Sequence, residues 1–179
     1  MNKLFLYLNL CILILVCSCS NRDTILQKVK QMKEIPITIP LGKMVYWEPE
    51  EKEDEKLKDR DYKLVVFADS AQCTPCFISH LSEWYEFLSL EREGKLNVTF
   101  IIEPKTALYD ETMERINKVQ FLHPLYIDSN YQFRKSNPKI PEESMYHVFL
   151  LNKNNQIVLV GNPLHNKQIE GMIIEITKK

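Results

Sequence analysis

Residues 70–81 read SAQCTPCFISHL, with Cys73 and Cys76 two residues apart in front of an apolar run. Three kinds of chemistry use such a pair. One thiolate can attack a partner's disulfide while the second resolves the mixed disulfide. The two can instead close into a permanent disulfide that staples a loop. Or both can join imidazole around a soft metal such as copper(I) or zinc. For the last, His80 completes Cys-x2-Cys-x3-His, and His147 is the fourth ligand only if folding brings it close. His123 and His165 are scattered and are read as structural.

Spacing gives the two thiols different roles. Phe77, Ile78, Leu81, Trp84, Tyr85 and Leu88 recur at helical spacing, so a helix is expected to begin at the cysteines. Pro75 suits its first turn, where a missing N–H costs nothing. A thiol at a helix N-terminus faces free backbone N–H groups, which stabilise the thiolate. Cys73 is therefore the candidate nucleophile. Cys76, one turn in and expected to be less exposed, is the candidate resolving thiol.

The N-terminus decides how many other thiols compete. Lys3 is followed by LFLYLNLCILILV, residues 4–16, a length suited to a signal-peptide core and short for a membrane span. VCSC then ends at Cys19, with Ser18 before it and Val16 three before it. This resembles the bacterial lipobox, which implies cleavage before Cys19 and lipidation of its thiol. Cys11 and Cys17 would leave with residues 1–18, and Cys19 would carry the lipid. Cys73 and Cys76 would then be the only pair left, in an exported protein where disulfides persist.

About 160 residues remain after residue 18, enough for one domain with a real core. A net charge of −1 gives no field that favours nucleic acid, and four glycines give no Gly-rich nucleotide cradle. Residues 19–34 read as a lipid-anchored tether, in part helical. Residues 35–60 hold one or two short edge strands, confined there by Pro36 and Pro40, and a charged loop within 48–61. The core domain is placed at 61–179. It opens with KLVVFAD, a β-branched run typical of a strand buried on both faces. After the cysteine helix, with Gly94 as its stop, come a strand at 96–102 and a helix within 106–120. In that helix Leu108, Tyr109, Met113, Ile116 and Val119 are expected to face inward. PLYID, 124–128, is a further strand, followed by an irregular stretch. YHVFLL and QIVLVG form a hairpin across NKNN. A last helix carries Ile169, Met172, Ile173 and Ile176 on one side. This order predicts an α/β fold, a mixed central sheet with helices on both faces.

With these residues placed, the chain resembles the thioredoxin superfamily, and within it the membrane-tethered TlpA-like thiol-disulfide reductases, relatives of the thiol-specific antioxidant proteins. The resemblance rests on VVFADSAQCTPC, on the added strand HPLYID and on FLLNKNNQIVLVGNP, and covers residues 60–179. It implies a three-layer α/β/α sandwich with a closing β-hairpin and thiol-disulfide exchange through Cys73 and Cys76. It implies no cofactor. The expected partners are protein thiols and disulfides of a bacterial envelope, with the chain a monomer, lipid-anchored and facing the periplasm. The chain departs from the family at three positions. Gln72 stands where tryptophan is common, the position of the family's cis-proline falls near Tyr146, and its buried acid falls near Phe67, leaving Asp69 and Glu103 as the nearest acids. The competing expectation is a thioredoxin-fold binding or structural lipoprotein whose disulfide is only a staple. Two minor ones are a copper-binding thiol protein and a peroxiredoxin-like peroxidase, for which Ser70 matches the motif threonine but Val66 holds the proline position.

Overall fold

The computed structural model describes residues 22–49 and 60–178. Residues 1–21 and 50–59 lie outside it, and with them the expected signal peptide, Cys19 and most of the charged loop. Six strands form one sheet: β1 (Val45–Trp47), β2 (Tyr62–Ala68), β3 (Asn97–Ile102), β4 (Leu125–Ile127), β5 (Val148–Asn152) and β6 (Ile157–Val160). Their order is β1-β4-β3-β2-β5-β6. β2, β3 and β4 run parallel, while β1, β5 and β6 each pair antiparallel with their neighbours. The expected mixed α/β sheet is present, with a closing β5–β6 hairpin at one edge and β1 at the other.

Alternation along the central strands sends side chains into two cores. Leu64 and Val66 of β2, Phe100 and Ile102 of β3, and Leu150 of β5 enter one. It is covered by α2 (Thr74–Ser79), α3 (Tyr85–Arg92), α4 (Tyr109–Lys118) and α6 (Lys167–Ile176), through Ile78, Leu88, Ile116 and Ile173 among others. Val65, Phe67, Ile101, Phe149 and Leu151 enter the second core. Phe133 of α5 (Gln132–Ser136) and Met32 of α1, residues 22–32, cover that face. With both faces covered, β2 can be apolar almost throughout, which is why KLVVFA carries no alternation.

Four expectations are corrected. The single helix after the cysteines is two helices: α2 ends at His80 (φ −103°, ψ 7°), a 3-10 turn spans Leu81–Trp84, and α3 follows. The His80 N–H is shared between the Cys76 and Phe77 carbonyls, and the Ser79 hydroxyl donates to the Cys76 carbonyl, which tightens that turn. Leu108 and Met172, expected inward, are 38% and 49% exposed, because the first lies in a 3-10 turn and α6 buries mainly Ile173. The irregular stretch after β4 contains α5, whose first N–H groups are capped by the buried Asp128 carboxylate. Residues 22–32 of the expected tether form α1, which lies against the domain. Ile25, Val29 and Met32 share one face of that helix, and Met32 is fully buried.

The stop at the end of α3 follows the glycine signal. The Lys95 N–H bonds the Leu90 carbonyl and the Gly94 N–H the Glu91 carbonyl, with Gly94 left-handed at φ 78°. A side chain there would also press on the Arg60 guanidinium, 3.0 Å from where a Cβ would sit.

Candidate redox site

β2 ends at Ala68, and after four intervening residues Cys73 caps α2. Its carbonyl accepts from the Phe77 N–H at 3.0 Å, the first bond of the helix, and Pro75 lies in the first turn. Cys73 and Cys76 have Cα atoms 5.2 Å apart and are joined as a disulfide. Both are exposed, which corrects the expectation that Cys76 is the more sheltered. α2 has only six residues, so its dipole is short, and the local N–H groups of the first turn are its main gift to a thiolate.

Residues 69–72 carry the chain from the strand to the pair and are tied from several elements. The Gln72 N–H donates to both the carbonyl and the Oδ1 of Asp69, each at 3.1 Å. Ser70 donates its N–H (3.2 Å) and hydroxyl (2.8 Å) to Glu103 Oε1, just beyond β3. Arg134 of α5 donates to Asp69 Oδ2 at 2.8 Å and lies 3.4 Å from Glu103 Oε1. Both carboxylates are buried, so two negative groups share one guanidinium beneath the loop. Burial opposes the Arg134 charge, but the bond to Asp69 and the nearness of Glu103 outweigh it and hold its pKa above the ordinary value. Glu103 Oε2 is buried without a hydrogen-bond partner among the described residues.

From the opposite side, a 3-10 turn at Ser144–Tyr146 leads into β5. His147 follows it, 1% exposed. The His147 carbonyl accepts from the Phe67 N–H, extending the β2–β5 pairing. Its ring lies 5.1 Å from that of Phe67 and meets the Gln72 side-chain amide at 3.0 Å. The cis-proline position placed near Tyr146 is thus occupied by a tight turn, with no cis peptide among the described residues. His147, one residue on, is what reaches the cysteine loop. A groove of ≈ 610 Å³ opens alongside, bounded by Gln72 and Phe77, by Tyr146 and His147, and by Ile25 and Val29 of α1.

The other candidate ligands are not gathered. His80 is exposed and pairs with Glu83 at 2.6 Å, and His147 faces Gln72. Among the described residues, no three His, Cys, Asp or Glu side chains stand as a metal cluster. His123 pairs with the buried Glu91, and His165 lines the groove. Ser70, the residue that matched the peroxidase threonine, gives its hydroxyl to Glu103. Sequence reasoning named Asp69 and Glu103 but missed Arg134, which sits in a stretch without periodicity, and missed the meeting of Gln72 with His147. Two signals pointed to that region: the metal reading, which named His147, and the family comparison, which placed a cis-proline near Tyr146.

A mixed sheet of this order, with a cysteine pair where its central parallel strand enters a helix, defines a thioredoxin-like α/β fold. No protein-family model matches the chain, and no curated protein does. Among solved structures, a thioredoxin-like protein from Bacteroides caccae aligns at 15% identity over 87% of this chain and 54% of its own, with a TM-score of 0.47. The chain thus spans about half of that relative's length. A thioredoxin-like protein solved in its oxidised form aligns at 19% identity over 82% of this chain and 94% of its own, TM-score 0.45. A putative thiol:disulfide interchange protein DsbE from Chlorobium tepidum aligns at 17% over 66% and 82%, TM-score 0.45.

Proposed function

We propose that this chain is a membrane-tethered envelope lipoprotein that carries out thiol-disulfide exchange on protein substrates. The observation that carries this reading is the exposed Cys73–Cys76 pair at the start of α2, beside a groove large enough for a peptide segment. In the reduced protein, the Cys73 thiolate attacks one sulfur of a partner disulfide and expels the other as a thiolate. The Cys76 thiolate then attacks Cys73 Sγ and releases the second partner sulfur. Two electrons pass to the partner, and the Cys73–Cys76 disulfide forms. Exposure of both sulfurs lets either direction proceed, so the partner's potential decides whether the pair reduces or oxidises it.

Trapping tests the reading. With Cys76→Ser, Cys73 should accumulate mixed disulfides with defined envelope proteins, and Cys73→Ser should not. A catalytic pair should equilibrate with redox buffers at about −120 to −270 mV, while a structural staple lies below about −300 mV. A value in the lower range together with empty traps would replace exchange by the staple. The anchor has its own test. Cys19→Ala should abolish lipid labelling and release the protein from membranes, and continued labelling would overturn the assignment of Cys19.

A further inference from the structure

His147 enters from the β5 side and bonds the residue next to the nucleophile. Its Nε2 lies 2.8 Å from the Pro141 carbonyl. A carbonyl only accepts, so Nε2 carries the hydrogen. In the neutral ring Nδ1 is then an acceptor, and the Gln72 amide NH2 at 3.0 Å donates to it. The chain of bonds runs from the Gln72 amide to Nδ1, then from Nε2–H to Pro141. It joins the loop preceding Cys73 to the turn preceding β5. Gln72 is also held by its backbone N–H on Asp69, so its side-chain bond fixes a residue whose main chain is already placed.

We propose that His147, in its neutral Nε2–H form, is a positioning residue for Cys73 and acts through Gln72. This rests on the exchange reading of the pair. Next to the position where the resemblance places a cis-proline, a buried imidazole supplies an acceptor. The carboxylates nearest the ring are each paired with a cation. Asp69 Oδ2 lies 3.9 Å from Nδ1 but is already engaged by Arg134, which also faces Glu103. Glu143, in the turn ahead, is paired with Lys28 of α1, and His165 looks into the same groove.

The test is a double-mutant cycle on Cys73 reactivity in the reduced full-length protein, read as the rate of alkylation by iodoacetamide at neutral pH. Gln72→Leu and His147→Leu should each change the rate by about fivefold, the worth of one net hydrogen bond. The double variant should change it no further, because both act on one link. His147→Asn offers an amide oxygen to Gln72 and should restore most of the rate. It also keeps the test alive if the leucine variant unfolds. Nitrogen-15 shifts of the wild-type ring should show hydrogen on Nε2. Fully additive effects, an asparagine variant as slow as leucine, or hydrogen on Nδ1 would each overturn the proposal. None of these readouts needs a substrate. A staple potential with an intact cycle would therefore sink the exchange reading and leave the positioning standing.

Discussion

Arg134 holds together two carboxylates that folding has removed from water. Asp69 follows β2 and Glu103 follows β3, and the Glu103 N–H bonds the Ala68 carbonyl, so parallel pairing alone brings the two acids side by side. Removing the guanidinium leaves both charges buried with no cation. Arg134→Met is expected to cost about 3 kcal/mol, the low end for breaking a buried ion pair, because Arg134 is about a third exposed. The urea midpoint should fall with little change in slope. Arg134→Lys should recover only part, since an ammonium keeps the charge but not the planar guanidinium whose Nη2 faces both acids. A midpoint unchanged by the methionine substitution would mean that the acids find other partners. The acids could be seen in the sequence, because they follow two evident strands. Their cation could not, because α5 has five residues and too little length for a readable period.

At the scale of elements, α1 is where sequence and structure diverge most. Its apolar face has three members, Leu26 is exposed, and its remaining positions are charged or polar, so it read as a tether. The tertiary structure gives that face a site, in the core shared by Phe133 of α5 and Phe149 of β5. Two ion pairs flank the contact, Lys28 with Glu143 and Lys139 with Glu34. The hydrogen bond from Lys28 holds the Glu143 carboxyl below its usual pKa, and that from Lys139 does the same for Glu34. A carboxyl whose folded pKa is lowered adds stability above its unfolded value, near 4.3, and loses it as pH falls through the folded one. Hydrogen exchange of α1 amides, corrected for intrinsic rates, should therefore accelerate below about pH 4 relative to β2 and β3. About 1 M salt at neutral pH should have a similar, smaller effect. Protection of α1 that tracks the central strands at every pH would show packing alone to hold the helix. The break between α2 and α3 was equally hidden. Helical spacing from Phe77 to Leu88 continues across it, and only the shared bonds at His80 interrupt the axis.

Across the whole molecule, stability is concentrated where the two central strands meet the larger core. Phe100 is fully buried, with Trp84 at 5.8 Å and Phe121 at 5.4 Å between ring centroids. Phe100→Ala should cost about 4 kcal/mol. Val45→Ala on the edge strand, where the side chain is 44% exposed, should stay within about 0.5 kcal/mol. Chemical denaturation measures both, and similar losses at the two sites would contradict a core centred on β3. The sequence by itself determined the layer architecture, because KLVVFAD, NVTFII and the VFLL–IVLV hairpin stand out as short apolar runs between turn signals without help from distant residues. It also located the pair, since two cysteines at this spacing before an apolar run are visible locally, while leaving exchange, staple and metal open to them. Tertiary structure alone decided what surrounds the pair. Arg134 lies 61 residues beyond Cys73 in the chain and His147 74 beyond. Both come to its loop only because β2 sits between β3 and β5, which aligns the strand ends and delivers Glu103 from one side and His147 from the other. Periodicity reports which face of an element is buried, while the neighbours of a site depend on strand order, and that is set by the packing of the whole sheet.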